Sequence, residues 1–210
     1  MEKGFQAAFE AAWEAYKAGT IPIGACVLNH ENEVVAVGKN QVFCEGDGVN
    51  PVALHQLAHA EINAIFQLSE QTRPNLHPHI RQYTLYAVME PCPLCFGAIV
   101  MGSIRNVKFA ARDGFAGAVA LNDSLQYIKA KSIAVEGPFE ELEHMQIAMQ
   151  TCFELENSRS QTNRLTGKWR EDCTLGVELG EKLYKEKILK RFAAENKPFE
   201  AVLEYIHGQK

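Results

Sequence analysis

Between residues 83 and 155 the chain alternates short, branched, apolar runs with stretches of helical periodicity, and this alternation restricts the fold more than any other feature. The runs 83–89, 107–111 and 133–135 are strand-length and rich in strand-forming residues, and helices are predicted over 93–103 and 121–130. A last helix is predicted over 138–155, with the acidic first turn that the helix dipole favours. Strands separated by helices run parallel, because the helix returns the chain to the same end of the sheet. Upstream, 2–18 places Phe5, Ala8, Phe9, Ala12, Trp13 and Tyr16 on one helical face, and Gly19 follows where a helix stops. The runs 21–28 and 33–37, joined by Asn29, His30, Glu31 and Asn32, read as an antiparallel hairpin.

A polar stretch over 38–51, where a substrate could be met, leads into a predicted helix over 55–68 carrying Leu57, Ile62, Ala64, Ile65 and Leu68. A Pro- and His-containing insertion, 71–82, precedes the next strand. The resulting order, αββαβαβαβα, defines an α/β chain with a mostly parallel sheet that starts in an antiparallel hairpin. Residues 157–173 read as polar and irregular, and 175–192 and 198–206 as two amphipathic helices. Two parts result: a domain over 1–155 and a helical C-terminal extension over 156–210.

Composition narrows the function. The 210 residues, 47% hydrophobic and 22% charged, suit one globular domain with a small appendage. The longest apolar stretches, 96–102 and 115–121, fall well short of the roughly 18–20 residues of a membrane span. The N-terminus lacks the basic, apolar and small-residue zones of a secretory signal, which points to the cytoplasm. Thiols stay reduced there, so the six cysteines read as ligands, nucleophiles or core residues. The formal net charge of −5, with the acidic excess in 1–155 and a slight basic excess in 156–210, favours a small molecule over a long nucleic acid.

Three segments carry chemistry together. His59, Ala60 and Glu61 stand near a helix start, and Pro91-Cys92-Pro93-Leu94-Cys95 enters another after 29 intervening residues. Cys92 and Cys95, three apart in a first helical turn, place both sulfurs on one side, at the helix end that favours thiolate. Two thiolates and an imidazole suit Zn2+. Glu61, two residues from His59, does not share its helical face and is not needed as a fourth ligand. The fourth position then stays open for water or hydroxide, as in a catalytic zinc site.

The pairing of HxE with PCxxC is the signature of zinc deaminases, and on it the chain resembles the cytidine and deoxycytidylate deaminase superfamily. Ile21-Pro22-Ile23-Gly24-Ala25, Gly38-Lys39-Asn40, Thr84-Leu85-Tyr86 before Glu90-Pro91-Cys92, and Ala111-Arg112-Asp113 before Gly117-Ala118 fall in the family's order over roughly residues 2–155. The chain is most similar to the branch of tRNA adenosine, guanine and cytosine deaminases. The resemblance implies a three-layer α/β/α cytidine deaminase-like fold with a five-stranded mixed sheet whose last two strands are parallel; the helix predicted over 121–130 fits this independently. It implies one zinc per subunit held by His59, Cys92 and Cys95, and Glu61 as the catalytic proton carrier. Asn40, Ala60, Pro91 and Cys92 would contact substrate, with the Cys92 N–H facing the oxygen that develops in the reaction. It further implies hydrolytic deamination of a nucleobase or nucleoside, with tRNA the alternative substrate, and a homodimer with the helix around 96–104 a candidate contact.

The chain departs from the tRNA-deaminase pattern at Thr20, where that group has an acidic residue, in a longer loop before His59, and in lacking a dense basic tail. Other readings remain open from the residues alone. Cys92-Pro93-Leu94-Cys95 resembles a redox pair, and a structural zinc would recruit Cys44, His55, His77, His79 or Cys152. A zinc-stabilised binding module without turnover is the non-enzymatic reading. Asn40 and Asp113 suit ordinary loop roles, Phe43 and Phe115 suit either stacking on a base or loop packing, and Cys26 and Cys152 read as small core hydrophobes.

Overall fold

Strand β1 (Gly24–Leu28) pairs antiparallel with both β2 (Val34–Lys39) and β3 (Thr84–Met89). This computed structural model describes residues 1–68, 79–158 and 160–208. Strand β4 (Asn106–Ala111) lies parallel to β3, and β5 (Ala134–Glu136) parallel to β4, in the order β2-β1-β3-β4-β5. The five-stranded mixed sheet therefore has its parallel pairs where a helical connection was read between strands.

Side-chain alternation splits the strands between two cores. Cys26, Leu28, Tyr86 and Val88 face α1 (Lys3–Lys17) and α5 (Glu140–Asn157), whereas Ala25, Val27, Leu85 and Ala87 face α2 (Ala60–Gln67) and α3 (Pro93–Met101). Helices thus cover both faces, completing the three-layer α/β/α arrangement. The six apolar positions expected on one face of α1 are all buried.

Beyond α5 come α6 (Thr162–Asp172), α7 (Thr174–Lys185), α8 (Ile188–Ala194) and α9 (Phe199–His207). Helix α7 lies close on α5, with Gly176 against Ile147 and Gly180 against Thr151. Helix α9 returns to α1, where the Phe199 ring stacks on Phe9 at 5.6 Å and Trp13 Nε1 donates to the Lys197 carbonyl at 2.8 Å. Leu183, Leu189, Val202 and Ile206 share one core with Phe5, Phe9 and Trp13. The division expected at 155 falls inside the last turn of α5.

Four local expectations need correction. The helix expected over 55–68 begins only at Ala60, because Gln41 binds the carbonyl of Ala58 and His55 Nδ1 accepts from the Leu57 N–H, holding 55–58 in a turn against the preceding loop. Leu57 is consequently exposed. The helix expected over 121–130 is two pieces, a 3-10 turn Val119–Asp123 and α4 (Gln126–Lys129), with extended backbone at Leu125 between them. The stretch read as irregular, 157–173, contains α6, whose Thr162 and Trp169 are buried. The helix expected over 175–192 breaks at Lys187, which adopts a left-handed φ of 53° and separates α7 from α8. Most of the insertion expected over 71–82 lies outside the described residues; its end forms a 3-10 turn, Ile80–Gln82. Among the described residues no helix is long and apolar enough to cross a membrane.

Gly38 fixes how closely α2 approaches the sheet: a Cβ there would collide with the Ala60 carbonyl and the Ala64 amide, both backbone atoms that cannot rotate away. Gly38→Ala is expected to cost about 1–3 kcal/mol of stability, the usual range for overpacking, read as a lower urea midpoint at unchanged slope.

Candidate metal centre and active site

Two helix N-termini meet at the site. His59 is the N-cap of α2 and Cys92 the N-cap of α3, with Pro93 preset for the first helical position and Cys95 one turn inside. Cys92 Sγ lies 3.6 Å and Cys95 Sγ 3.4 Å from His59 Nδ1. All three donor atoms fall within 4.8 Å of one another. A tetrahedral zinc about 2.3 Å from sulfur and about 2.0–2.1 Å from nitrogen requires sulfur–nitrogen separations of about 3.5 Å, so spacing and donor chemistry both fit that ion. Cys44, His55, His79 and Cys152 do not join the group, and His77 lies outside the described residues.

Electrostatics separate the two thiols. A hydrogen bond from Cys95 and another with His59 outweigh burial and hold Cys92 down to about 4, while its bond to Cys92 and then burial push Cys95 well up. The bond to Cys92 raises His59 against the opposing effect of burial. Glu61, in the first turn of α2, is buried within hydrogen-bonding reach of Cys95; burial first, then the Cys92 charge, raise its carboxyl. A buried carboxyl raised above its ordinary value holds a proton more readily, which is one of the properties a proton carrier requires.

The surrounding loops are tied by side chains. Glu90 accepts from the N–H groups of Asp113 and Val119, both at 3.2 Å, and the Pro91 carbonyl accepts from Ala118 at 3.0 Å, so the 112–119 loop is bound to the approach of α3. Asp113 Oδ1 in turn accepts from Phe115, Ala116 and Trp169 Nε1. Asp113 is therefore a loop organiser with a bond to α6.

Asn40 is buried and its Oδ1 accepts from Thr20 Oγ1 at 2.8 Å and from the Val42 N–H at 3.0 Å, which leaves its amide nitrogen as the end without a hydrogen bond among the described residues. Thr20, noted in the sequence only as a departure, is the residue that sets this orientation. Asn63 binds backbone on both sides of the long loop, at Lys39 and Val52, while Asn50 and Asp47 hold its middle.

A cavity of about 420 Å3 opens beside the donors, lined by His59, Ile23, Phe115, Gln150, Leu165 and Trp169 among others. Its volume lies in the range of small-molecule sites. Asn40, Ala60, Pro91 and Cys92 are not among its lining residues, whereas α5 and α6 supply one wall. Phe115 lines it with the Arg164 guanidinium 4.4 Å from the ring centroid, and Phe43 is exposed outside it. Sequence reasoning missed this wall because α6 was read as irregular; Thr162, Leu165 and Trp169, at helical spacing within a polar stretch, were the available signal.

Comparison with known proteins agrees with this geometry. The cytidine and deoxycytidylate deaminase zinc-binding region matches residues 1–111, and the chain belongs to that family. It is 30% identical over 118 residues to a tRNA-specific adenosine deaminase of Haemophilus influenzae, covering 56% of this chain and 62% of that protein. It is 25% identical over 116 residues to a cytosine deaminase of Candida albicans, covering 55% of this chain and 69% of that protein. It spans only 17% of a tRNA(Ile)-lysidine synthase of Deinococcus radiodurans, to which it is 32% identical over 112 residues. Among solved structures, a guanine deaminase from Nitrosomonas europaea superposes with a TM-score of 0.53 at 20% identity, covering 73% of this chain and 84% of that one. A tRNA:A34 deaminase gives 0.52 at 24%, covering 67% and 94%. Both share the fold.

Burial differences predict the thiol chemistry. Cys92 and Cys44 are half-buried and the other four cysteines buried. Iodoacetamide should label Cys44 alone in zinc-loaded protein, and Cys92 as well once a chelator is added; equal labelling of Cys92 in both states, by mass spectrometry, would exclude a metal at this position.

Asp47 predicts an acid dependence. Burial raises its carboxyl, but the Asn50 and Val49 N–H groups, the Lys39 ammonium and the Asn50 amide together hold it well below the usual carboxylate range. A depressed native pKa adds stability above the unfolded value of about 3.9 and loses it as pH falls through the native one. Asp47→Asn should therefore be less stable than wild type at pH 7, with the difference shrinking below about pH 4 in urea titrations.

Proposed function

We propose that this chain is a zinc-dependent hydrolase that converts a ring amino group of a nucleobase or nucleoside to a carbonyl, releasing ammonia. The observation that carries the reading is the convergence of His59, Cys92 and Cys95 beside buried Glu61, with His59 also lining a cavity of small-molecule size. His59, Cys92 and Cys95 would hold the ion, which when bound supplies a Lewis acid that lets water act as a nucleophile at neutral pH. Glu61 takes the proton that the attacking water gives up and returns it to the ring nitrogen. A second proton passes through the same carboxyl to the amino group, which leaves as ammonia while the ring carbon keeps the water's oxygen as a carbonyl.

Asn40, through its amide nitrogen, would donate to the substrate, and Ala60, Pro91 and the Cys92 N–H would complete the contacts nearest the metal. The domain over 1–155 would carry this chemistry and 156–210 would shape it. Thiols that must stay reduced to hold an ion suit the cytoplasm. A homodimer through α3 is supported by the exposed Leu94 and Met101 on an otherwise apolar helix.

The relatives named as tRNA-specific adenosine deaminases favour a second reading, in which the substrate is tRNA. The wall that α6 adds to the cavity favours the smaller substrate. Ammonia release from adenine, guanine, cytosine, their nucleosides and tRNA separates the two, and release from tRNA alone would overturn the first. Glu61→Gln is expected to keep about one zinc per chain while turnover falls by at least about 100-fold, the lower end of acid–base contributions. Full zinc without turnover by wild type on the whole panel would instead favour a binding module.

A further inference from the structure

Gln150, on α5, is only 4% exposed yet lines the cavity that contains His59. Its amide orientation is set by a neighbour one turn back. Gln146 Nε2 donates to the Pro22 carbonyl at 2.9 Å, which fixes that end of Gln146 as the donor, and the same nitrogen faces Gln150 Oε1 at 3.5 Å. The oxygen of Gln150 is thereby turned toward Gln146. Its NH2 group has no hydrogen-bond partner among the described residues.

Gln150 is nine-tenths buried as a residue, but its NH2 group opens onto the cavity, and a free donor placed there asks for an explanation. The rest of the cavity suggests one. Ile23, Phe115 and Trp169 give it apolar sides suited to a flat ring, and the polar groups beside them, Gln150 and His59 together with Asp113 and Glu154, decide which ring is held and how.

We infer that the Gln150 carboxamide determines specificity by donating a hydrogen bond to an oxo group or unprotonated ring nitrogen on a substrate edge other than the one facing His59. This rests on the proposed deaminase reading and deepens it: the preferred substrate is an aminated heteroaromatic base that carries such an acceptor. Gln150 binds and orients; the proton transfers remain with Glu61.

The test uses the full-length, zinc-loaded chain and the base and nucleoside panel, with Gln150→Leu and Gln150→Asn. Leucine fills similar volume and leaves the Gln146 bond to Pro22 in place, so zinc content and thermal stability should stay close to wild type. Meanwhile kcat/KM on the best substrate should fall about 10- to 100-fold, chiefly through KM, as for loss of one buried hydrogen bond to substrate. Asparagine keeps a donor and should recover part of that loss. A merely structural role predicts the opposite pattern, with stability falling and KM unchanged. Unchanged KM in Gln150→Leu overturns the inference alone; no ammonia release by wild type from any base or nucleoside overturns the deaminase reading and the inference with it.

Discussion

The close approach of α2 to β2, possible because Gly38 sets no Cβ against the backbone of Ala60 and Ala64, is the contact on which the metal centre depends. It brings the first turn of α2 down to the sheet, so that His59 meets the sulfurs entering α3. Both helices present their N-termini to the same point, and the unpaired N–H groups there favour negative charge on Cys92. A side chain at residue 38 would lift α2 by a fraction of its own width, enough to spoil separations that a metal requires to within a few tenths of an ångström.

Around this contact the polar groups are arranged to hold loops still. Thr20 turns Asn40, Asn63 ties both ends of the 39–52 segment, and Glu90 clasps the 112–119 loop from beneath. Each bond is modest, about 0.5–1.5 kcal/mol net, and their shared effect is positional. A site assembled from loops performs only if those loops are pre-organised before substrate arrives.

The parts legible in the sequence are those governed by local periodicity and by residue chemistry. The faces of α1 and the strands and the parallel order of β3, β4 and β5 follow from spacing, and the grouping of His59 with Cys92 and Cys95 from the resemblance to a zinc-deaminase signature. What escaped detection depends on partners distant in the chain. The turn over 55–58 exists because Gln41 captures Ala58, and α6 is held by Trp169 reaching Asp113, neither of which a local window reveals. Gln150 belongs to no motif in the sequence; only the fold shows that it faces the cavity. The break at Lys187 escaped notice because lysine carries no turn signature and must be forced into its left-handed conformation by packing on both sides.

The bond from Trp169 to Asp113 also joins parts of the chain that are made far apart in time. His59, Cys92 and Cys95 are all in the chain once residue 95 is made, whereas Trp169 follows 74 residues later, so the wall formed by α6 is added after the cluster is complete. Assembly of the donor cluster and closure of the cavity beside it therefore draw on separate parts of the chain, so a chain ending before α6 would keep the first and lack the second.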